Sequence, residues 1–242
     1  MKNNNKFRLD VWGAITLGTI ALYALFLLYP MAYLIRQSVL DPDTGGFTLA
    51  YFTKFFSKSY YFDTLINSFK VSITATVLSI AIGTPLAYLF TIFKIKGKSV
   101  LNILIVVASM SAPFIGAYSW ILLLGRSGVI TAFFKNLGIA IPDIYGFGGI
   151  VLVMTLQLFP LVFLYAKGAL KNIDNSLIEA AENLGCSGIV CFFKVVVPLI
   201  MPTLLAAALL VFMRSFADFG TPMLIGEGYR TFPVALYTEF IN

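Results

Sequence analysis

The sequence predicts an all-α integral membrane protein built as a polytopic bundle of helical spans. Of its 242 residues, 59% are hydrophobic and 12% are charged, whereas a soluble domain is roughly 45–50% apolar and about 25% charged. The apolar residues also occur in runs of roughly 20, the length that crosses a hydrocarbon core of about 30 Å. Because a helix satisfies its backbone hydrogen bonds internally, such runs indicate membrane-spanning helices.

Five runs are long enough to span, and we expect them to form one transmembrane domain over residues 1–242. The first follows the basic segment MKNNNKFRLD. It is longer than the roughly 7–15 apolar residues of a signal peptide, and no A-x-A cleavage pattern follows it. We therefore expect a retained span. The predicted spans are about 11–33, 64–93, 100–124, 147–166 and 195–219.

The distribution of basic residues predicts a cytoplasmic N-terminus. With that orientation, more of the lysines and arginines fall in inner segments, and the short inner connection KIKGK is dense in lysine. Basic residues in short loops favour the cytoplasmic side. The same rule explains the net charge of +6 without a nucleic-acid partner, and it places residues 171–194 in the cytoplasm.

The second span carries a stripe of small residues at steps of three and four, which predicts one helix face turned into the bundle. Pro85 near its end predicts a kink. The stripe consists of Ser68, Ser72, Ala75, Ser79 and Gly83.

The connection over residues 36–63 is predicted to be a long outer loop. It contains the turn signal DPDTGG and the aromatic run YFTKFFSKSYYF. The aromatic residues indicate either an interfacial belt or a lip that packs against an external partner.

The segment NIDNSLIEAAENLG predicts a short helix between the fourth and fifth spans. Ser176 and Glu179 have the spacing of a capping box, and Gly185 fits the left-handed position after a helix end. Because isolated helices below roughly 12–15 residues are marginal in water, this helix needs support from its flanking spans or from a partner. Ala180 and Ala181 are small enough for docking in a groove; a plain solvated loop is the alternative.

The same part of the chain contains the pattern E-A-A-x-x-x-G, followed after nine residues by an aliphatic residue, one further residue, another aliphatic residue and proline. This pattern resembles the EAA loop of ABC importer permeases, which have the MetI-like fold. Valine stands twice where isoleucine and leucine are usual. The positions in register are Glu179, Ala180, Ala181, Gly185, Val195, Val197 and Pro198.

The resemblance implies that the short helix is the coupling helix, which sits in a cleft of a separate ATP-binding subunit. It further implies an extracytoplasmic substrate-binding protein, a second permease domain (identical or fused) and a place in the bacterial cytoplasmic membrane. The absence of a G-x-x-x-x-G-K-[ST] phosphate loop fits ATP hydrolysis by another chain. The resemblance implies ATPase-coupling roles for the residues in register with the EAA loop, which are Glu179, Ala180, Ala181, Gly185 and Pro198.

Arg214 and Asp218 are four residues apart near the end of the fifth span, so we expect them to share a helix face. Charges in such positions often mark a pathway or gate. A structural ion pair that fixes helix packing and snorkelling to the interface are the alternatives.

The segment RSFADFGTP resembles permeases for ferric iron and, less closely, those for polyamines, thiamine or phosphonates. It favours ferric iron or a ferric chelate as the substrate, without implying that this chain ligates iron.

Several other functions find little support. Histidine is absent, which removes the commonest general base and metal ligand. Cys186 and Cys191 match no common zinc or redox spacing and are predicted to be two small buried thiols. We therefore expect a transport subunit with no catalytic residues, metal or cofactor, rather than an enzyme. A secondary transporter is a further alternative, but the inverted repeats typical of that class are not evident.

The resemblance also predicts a sixth span, because such permeases usually have six or more. After Gly220, the apolar stretch from Phe232 to Ile241 is only about ten residues long and cannot cross as a helix. We expect either that a final span is missing from this chain or that the last segment is a re-entrant or interfacial helix.

Overall fold

The computed structural model describes residues 11–41, 44–93, 95–110, 112–139 and 141–241. Over these residues the chain is helical, with one isolated antiparallel bridge between Leu40 and Phe47. π-Helical segments follow α1, at Ala24–Leu28, and α10, at Phe192–Val196. The α-helices are α1 (Val11–Tyr23), α2 (Tyr29–Ser38), α3 (Ala50–Ser57), α4 (Ser59–Ile92), α5 (Lys98–Ser109), α6 (Pro113–Leu124), α7 (Val129–Asn136), α8 (Phe147–Lys171), α9 (Asn175–Asn183), α10 (Gly188–Cys191), α11 (Val197–Phe216), α12 (Gly220–Ile225) and α13 (Phe232–Ile241).

Five helical stretches of the described residues are long and apolar enough to cross a membrane, which confirms the all-α membrane class, although the third stretch runs from α6 through α7 rather than over residues 100–124. Phe232–Ile241 and Lys98–Ser109 are shorter apolar helices. Residues 1–10 and Lys94, on which part of the orientation prediction depends, lie outside the described residues. The five stretches are Val11–Ser38, Ser59–Ile92, Pro113–Asn136, Phe147–Lys171 and Gly188–Phe216.

The prediction of a long loop over residues 36–63 is wrong. α2 continues to Ser38, α3 occupies Ala50–Ser57, and α4 already begins at Ser59. Thr48 Oγ1 accepts the Ala50 N–H at 3.1 Å, so a threonine satisfies one of the unpaired donors at the start of α3. The aromatic run is therefore largely helical.

The predicted third span, residues 100–124, is interrupted. α5 ends at Ser109 and α6 begins at Pro113, and Ala112 between them is extended, with ψ 141°. Proline disfavours the helical conformation in the residue before it, which explains the break. Each helix has 12 residues and is about 18 Å long, so neither crosses a bilayer alone.

The fifth span begins earlier than predicted. α10, the π-helical segment and α11 follow one another without a break from Gly188 to Phe216, and the Val197 N–H bonds to the Phe192 carbonyl oxygen. Pro198 is in the first turn of α11, but it lies inside this continuous helix rather than at its entry. Of the two predicted buried thiols, Cys191 is buried and Cys186 is partly exposed.

The chain divides into two compact units, residues 1–62 and 63–242. In the first unit, α1 has no buried residue although it is apolar on all sides, as a helix surrounded by lipid or by other helices would be. In the second unit, α8 is central and packs against α5, α6, α11 and α12. Its Phe163, Ile150 and Met154 are among the largest fully buried side chains.

The small-residue stripe of α4 faces the interior, as predicted, because all five of its residues are buried. At Gly83 the helix lies directly against α8: a Cβ there would be 2.9 Å from both the Phe159 carbonyl oxygen and Val162 Cβ. α4 continues through Pro85 as one helix. Ser68 Oγ also accepts the Phe232 N–H at 2.8 Å, which ties the start of α13 to α4.

Candidate functional site

α9 begins with a side-chain cap, but the capping residue is not the predicted one. The helix starts at Asn175, and Asp174 Oδ1 accepts the Ser176 N–H at 3.0 Å. This bond holds the pKa of the Asp174 carboxyl below its usual value. The Ser176–Glu179 capping box is therefore wrong: Ser176 lies inside the first turn, because an aspartate one residue before the helix already fills the cap position.

α9 ends at Asn183, and Gly185 lies in the left-handed position after the helix end, as predicted. Gly185 has φ +85°, and the Cys186 N–H donates to the Ala181 carbonyl oxygen at 3.0 Å. This six-to-one bond across a left-handed residue is the Schellman motif. A Cβ at Gly185 would meet no atom within 4 Å, so the backbone conformation, rather than space, requires glycine.

An exposed apolar stripe runs along α9. Leu177 and Leu184 are 50% and 89% exposed, Ala180 between them is exposed, and Ala181 is partly exposed. Their spacing of three, four and seven residues places them on one face. The two leucines were missed in the sequence, although this spacing was the signal that could have found them. We call Leu177, Ala180, Ala181 and Leu184 the α9 stripe.

The neighbouring residues of α9 point elsewhere. Ile178 packs against the buried core of the second unit, which holds the short helix in place. Glu179 is exposed, but at 100° per residue it lies about 200° around the helix from Leu177. The E-A-A triplet is therefore split between two faces.

A cavity of about 480 Å³ opens where the interrupted span meets α8 and the end of α11. Ser109 and Pro113 line it from the two sides of the break between α5 and α6. Gln157 from α8 lines it as well, and so do Arg214 and Asp218. The structure thus brings both predicted gate residues to one cavity, whose polar lining depends on a helix break that the sequence prediction missed.

Arg214 and Asp218 nevertheless form no ion pair within 4.0 Å of each other. α11 ends at Phe216, so Asp218 is outside the helix and the four-residue spacing does not place it beside Arg214. Asp218 instead bonds to the first turn of α12, from the position before the N-cap residue Phe219. Its Oδ1 accepts the Gly220 N–H at 2.9 Å, and its Oδ2 accepts the Thr221 hydroxyl at 2.7 Å.

A charged cluster that was not predicted joins three connections at the other end of α8 from α9. Arg126 contacts Asp143 Oδ2 at 3.0 Å and Glu227 Oε1 at 2.8 Å, and its guanidinium lies 4.8 Å from the Tyr145 ring centroid. These residues are far apart in sequence, so no local pattern marks them. The cluster links the end of α6 to the connections before α8 and after α12.

The chain is similar to known proteins both in sequence and in fold. The profile of the family described as "Binding-protein-dependent transport system inner membrane component" matches residues 44–241. Two bacterial alginate ABC transporter structures resemble the chain with TM-scores of 0.74 and 0.69, at 16% and 17% identity, and cover 96% and 99% of it and 83% and 82% of their own chains. At this identity the likeness shows the fold.

Similar curated proteins fall into two groups. The ferric transport system permease FbpB of Actinobacillus pleuropneumoniae is 28% identical over 98% of this chain and 34% of its own length. The putative ferric permease FbpB 1 of Haemophilus influenzae is 28% identical over 90% of the chain and 34% of its own length, so the chain spans about a third of these relatives. The spermidine/putrescine permease PotB of Haemophilus influenzae is 28% identical over 92% of the chain and 79% of its own length. On the family match, this chain belongs to the binding-protein-dependent transport system inner membrane components, the MetI-like permeases of ABC importers.

Proposed function

We propose that the chain is a membrane-spanning permease subunit of an ATP-driven ABC importer and that it couples to a separate ATP-binding subunit through α9. The α9 stripe is the observation that carries this proposal. A row of two leucines and two alanines on a short helix, exposed except for the partly exposed Ala181, matches the helix-in-groove mode of docking. Ile178 on a neighbouring face anchors the same helix to the bundle, so a push on α9 reaches the spans.

The chain after α9 can pass a movement of this helix on to the fifth span. α9 is followed within five residues by α10, which continues through the π-helical segment into α11. The end of α11 lies at the cavity that Arg214 and Asp218 line. A displacement of α9 therefore acts along one continuous helix toward the cavity, where we place the gate.

The proposed partners follow from the family. They are an ATP-binding subunit at α9, an extracytoplasmic binding protein that delivers substrate, and a second permease domain, identical or fused, that completes the pathway. The proposed orientation has the N-terminus in the cytoplasm, which puts α9 on the same side as ATP.

Ferric iron, free or as a chelate, is the leading proposed substrate. The relatives named ferric permeases align over nearly the whole chain, and RSFADFGTP resembles the same group. Polyamine uptake is the second candidate, because the PotB relatives align over a similar range.

ATP-driven uptake by the assembled complex tests the proposal. The permease, its ATP-binding subunit and its binding protein are reconstituted in liposomes, and radiolabelled substrate is followed with ATP or with a non-hydrolysable analogue inside. We expect uptake with ATP only, and ATP hydrolysis that the loaded binding protein stimulates. Uptake that follows an ion gradient without ATP would instead identify a secondary transporter.

A further inference from the structure

We propose that the cavity at the end of α11 recognises a negatively charged group of the substrate through Arg214, so that the transported species is an oxyanion or an anionic chelate and not a polyamine. The inference rests on the proposed transport function and deepens it by naming the charge class of the substrate. It depends on how the two charged residues of this cavity are engaged.

Asp218, the carboxylate that lines the cavity, is already hydrogen-bonded to neighbouring residues. Both carboxylate oxygens of Asp218 accept hydrogen bonds, one from the Gly220 N–H and one from the Thr221 hydroxyl. Hydrogen bonds to an ionised acceptor are strong, and these two take one of the two lone pairs on each oxygen. Asp218 is thus held at the start of α12, and its charge is partly satisfied there before any ligand arrives.

The guanidinium of Arg214 is accessible to a ligand in the cavity. Arg214 is exposed and lines the cavity, and no carboxylate of the described residues lies within 4.0 Å of its guanidinium. By contrast Arg126, which is also exposed, contacts two carboxylates. A planar guanidinium presents donors that match a carboxylate or phosphate in two-point contact, and in a partly enclosed cavity its field is less screened than on an open surface.

The remaining polar lining fits the same ligand chemistry. Ser109 at the break and Gln157 on α8 contribute a hydroxyl and an amide to the cavity wall. The Ser109 hydroxyl hydrogen goes to the Val106 carbonyl oxygen at 2.6 Å, whereas the Gln157 amide carries N–H donors of the kind that bind an oxyanion. Phe114, Leu158 and Phe219 supply apolar wall. A cavity of about 480 Å³ is in the range of small-molecule sites and holds more than a bare ion.

The charge of the cavity is measured first, without any assumption about the substrate. In a background with Cys186→Ser and Cys191→Ser, Ala217→Cys places a thiol one turn from Arg214, where Cβ atoms are about 5–6 Å apart. The thiol is modified with an anionic or a cationic methanethiosulfonate reagent. We expect Arg214→Gln to lower the ratio of anionic to cationic rates about tenfold, since a unit charge at this range changes each rate roughly threefold.

Lys135→Gln is the matched control, because it removes one exposed positive charge on α7 that does not line the cavity. We expect the rate ratio at Ala217→Cys to stay unchanged in this variant. An equal ratio in the wild-type and Arg214→Gln backgrounds would overturn the inference, since Arg214 would then not set the potential of the cavity.

Transport decides the substrate class. The complex is offered ferric citrate labelled with ⁵⁵Fe, a labelled alkylphosphonate and labelled spermidine. We expect uptake of an anionic probe, a loss of at least about tenfold in Arg214→Gln, and partial rescue by Arg214→Lys, which keeps the charge and loses the fork. Spermidine uptake by a complex that still retains its ATP-binding subunit overturns this inference alone. A wild-type chain that captures no ATP-binding subunit overturns the proposed function and, with it, the inference.

Discussion

The Cys186 N–H donates a hydrogen bond to the Ala181 carbonyl oxygen at 3.0 Å, and Gly185 between them has φ +85°. The bond closes the α9 helix directly after its exposed stripe and sets the direction in which the chain leaves toward α10. It also fixes the position of Leu184, the more exposed of the two leucines in that stripe. The proposed docking face and the helix terminus are therefore one structural unit.

Replacing Gly185 with valine should uncouple transport from ATP. A β-branched residue in the left-handed region costs roughly 1–2 kcal/mol, and a cost of that size changes a conformational equilibrium by a factor of about 5–30. We expect ATP-driven uptake to fall by that factor while membrane insertion stays normal. Initial uptake rates and the amount of permease in the membrane are compared in the same cells.

Two variants control the Gly185 experiment. Gly185→Asn should retain more activity than Gly185→Val, because asparagine tolerates the left-handed conformation. Gly188→Val places the same side chain three residues later, where φ is not in the positive range and a Cβ would meet nothing within 4 Å. Equal losses in Gly185→Val and Gly188→Val would show that the left-handed turn is not the cause.

The Asp174 cap should make the start of α9 sensitive to acid. Because the folded-state pKa of this carboxyl is lowered, its stabilising effect is fully present above its ordinary pKa and is lost as the pH falls through the lowered value. Hydrogen exchange of a peptide over residues 174–186, corrected for intrinsic exchange rates, should show faster opening at low pH. Asp174→Asn keeps a capping oxygen that does not titrate and should remove the pH dependence.

The contact of Gly83 with α8 should tolerate no side chain. Gly83→Ala would put a Cβ 2.9 Å from Val162 Cβ and from the Phe159 carbonyl oxygen, and overpacking of this kind costs typically 1–3 kcal/mol. We expect a lower melting temperature in detergent. Gly168→Ala in α8 is the matched control, since its added methyl would meet no atom within 4 Å, and it should melt at the wild-type temperature or slightly above.

Arg214 and Asp218 should contribute independently to stability. Asp218→Ala removes two hydrogen bonds at the start of α12 and should cost about 1–3 kcal/mol, whereas Arg214→Gln should have little effect. In a double-mutant cycle measured by denaturant unfolding, the two effects should add within about 0.5 kcal/mol. A coupling energy clearly above that value would show that Arg214 and Asp218 interact, as in the structural ion pair that was the alternative interpretation of their spacing. Full transport by the double variant would reduce both residues to packing roles.

The sequence predicted α9 and its end because both depend on local chemistry. Gly185 stands where only glycine is relaxed, and the E-A-A-x-x-x-G spacing is family-specific. The cap was assigned to the wrong residue because Asp174 and Ser176 are both good capping residues and the sequence does not show where the first helical turn begins. The stripe of α4 was predicted correctly because small residues at helical spacing have one efficient use between membrane helices.

The cavity that Arg214 and Asp218 line was harder to predict because it depends on where helices end. Pro113 carried a readable signal for the break after α5, but the apolar run around it masked that signal. Asp218 was paired with Arg214 on the assumption that α11 continues, whereas the helix stops at Phe216. The Arg126 cluster joins connections distant in sequence, which a single sequence does not bring together.

Capture of the ATP-binding subunit by Leu184 variants tests the central claim most directly. The permease is tagged and purified from membranes that contain its ATP-binding subunit, and the ratio of the two chains is measured for wild type, Leu184→Asp and the control Leu137→Asp, an exposed leucine outside α9. The proposed coupling predicts that Leu184→Asp lowers the ratio at least about tenfold and that Leu137→Asp leaves it at the wild-type value. Retention of the ATP-binding subunit by Leu184→Asp at the wild-type ratio would contradict docking through the α9 stripe.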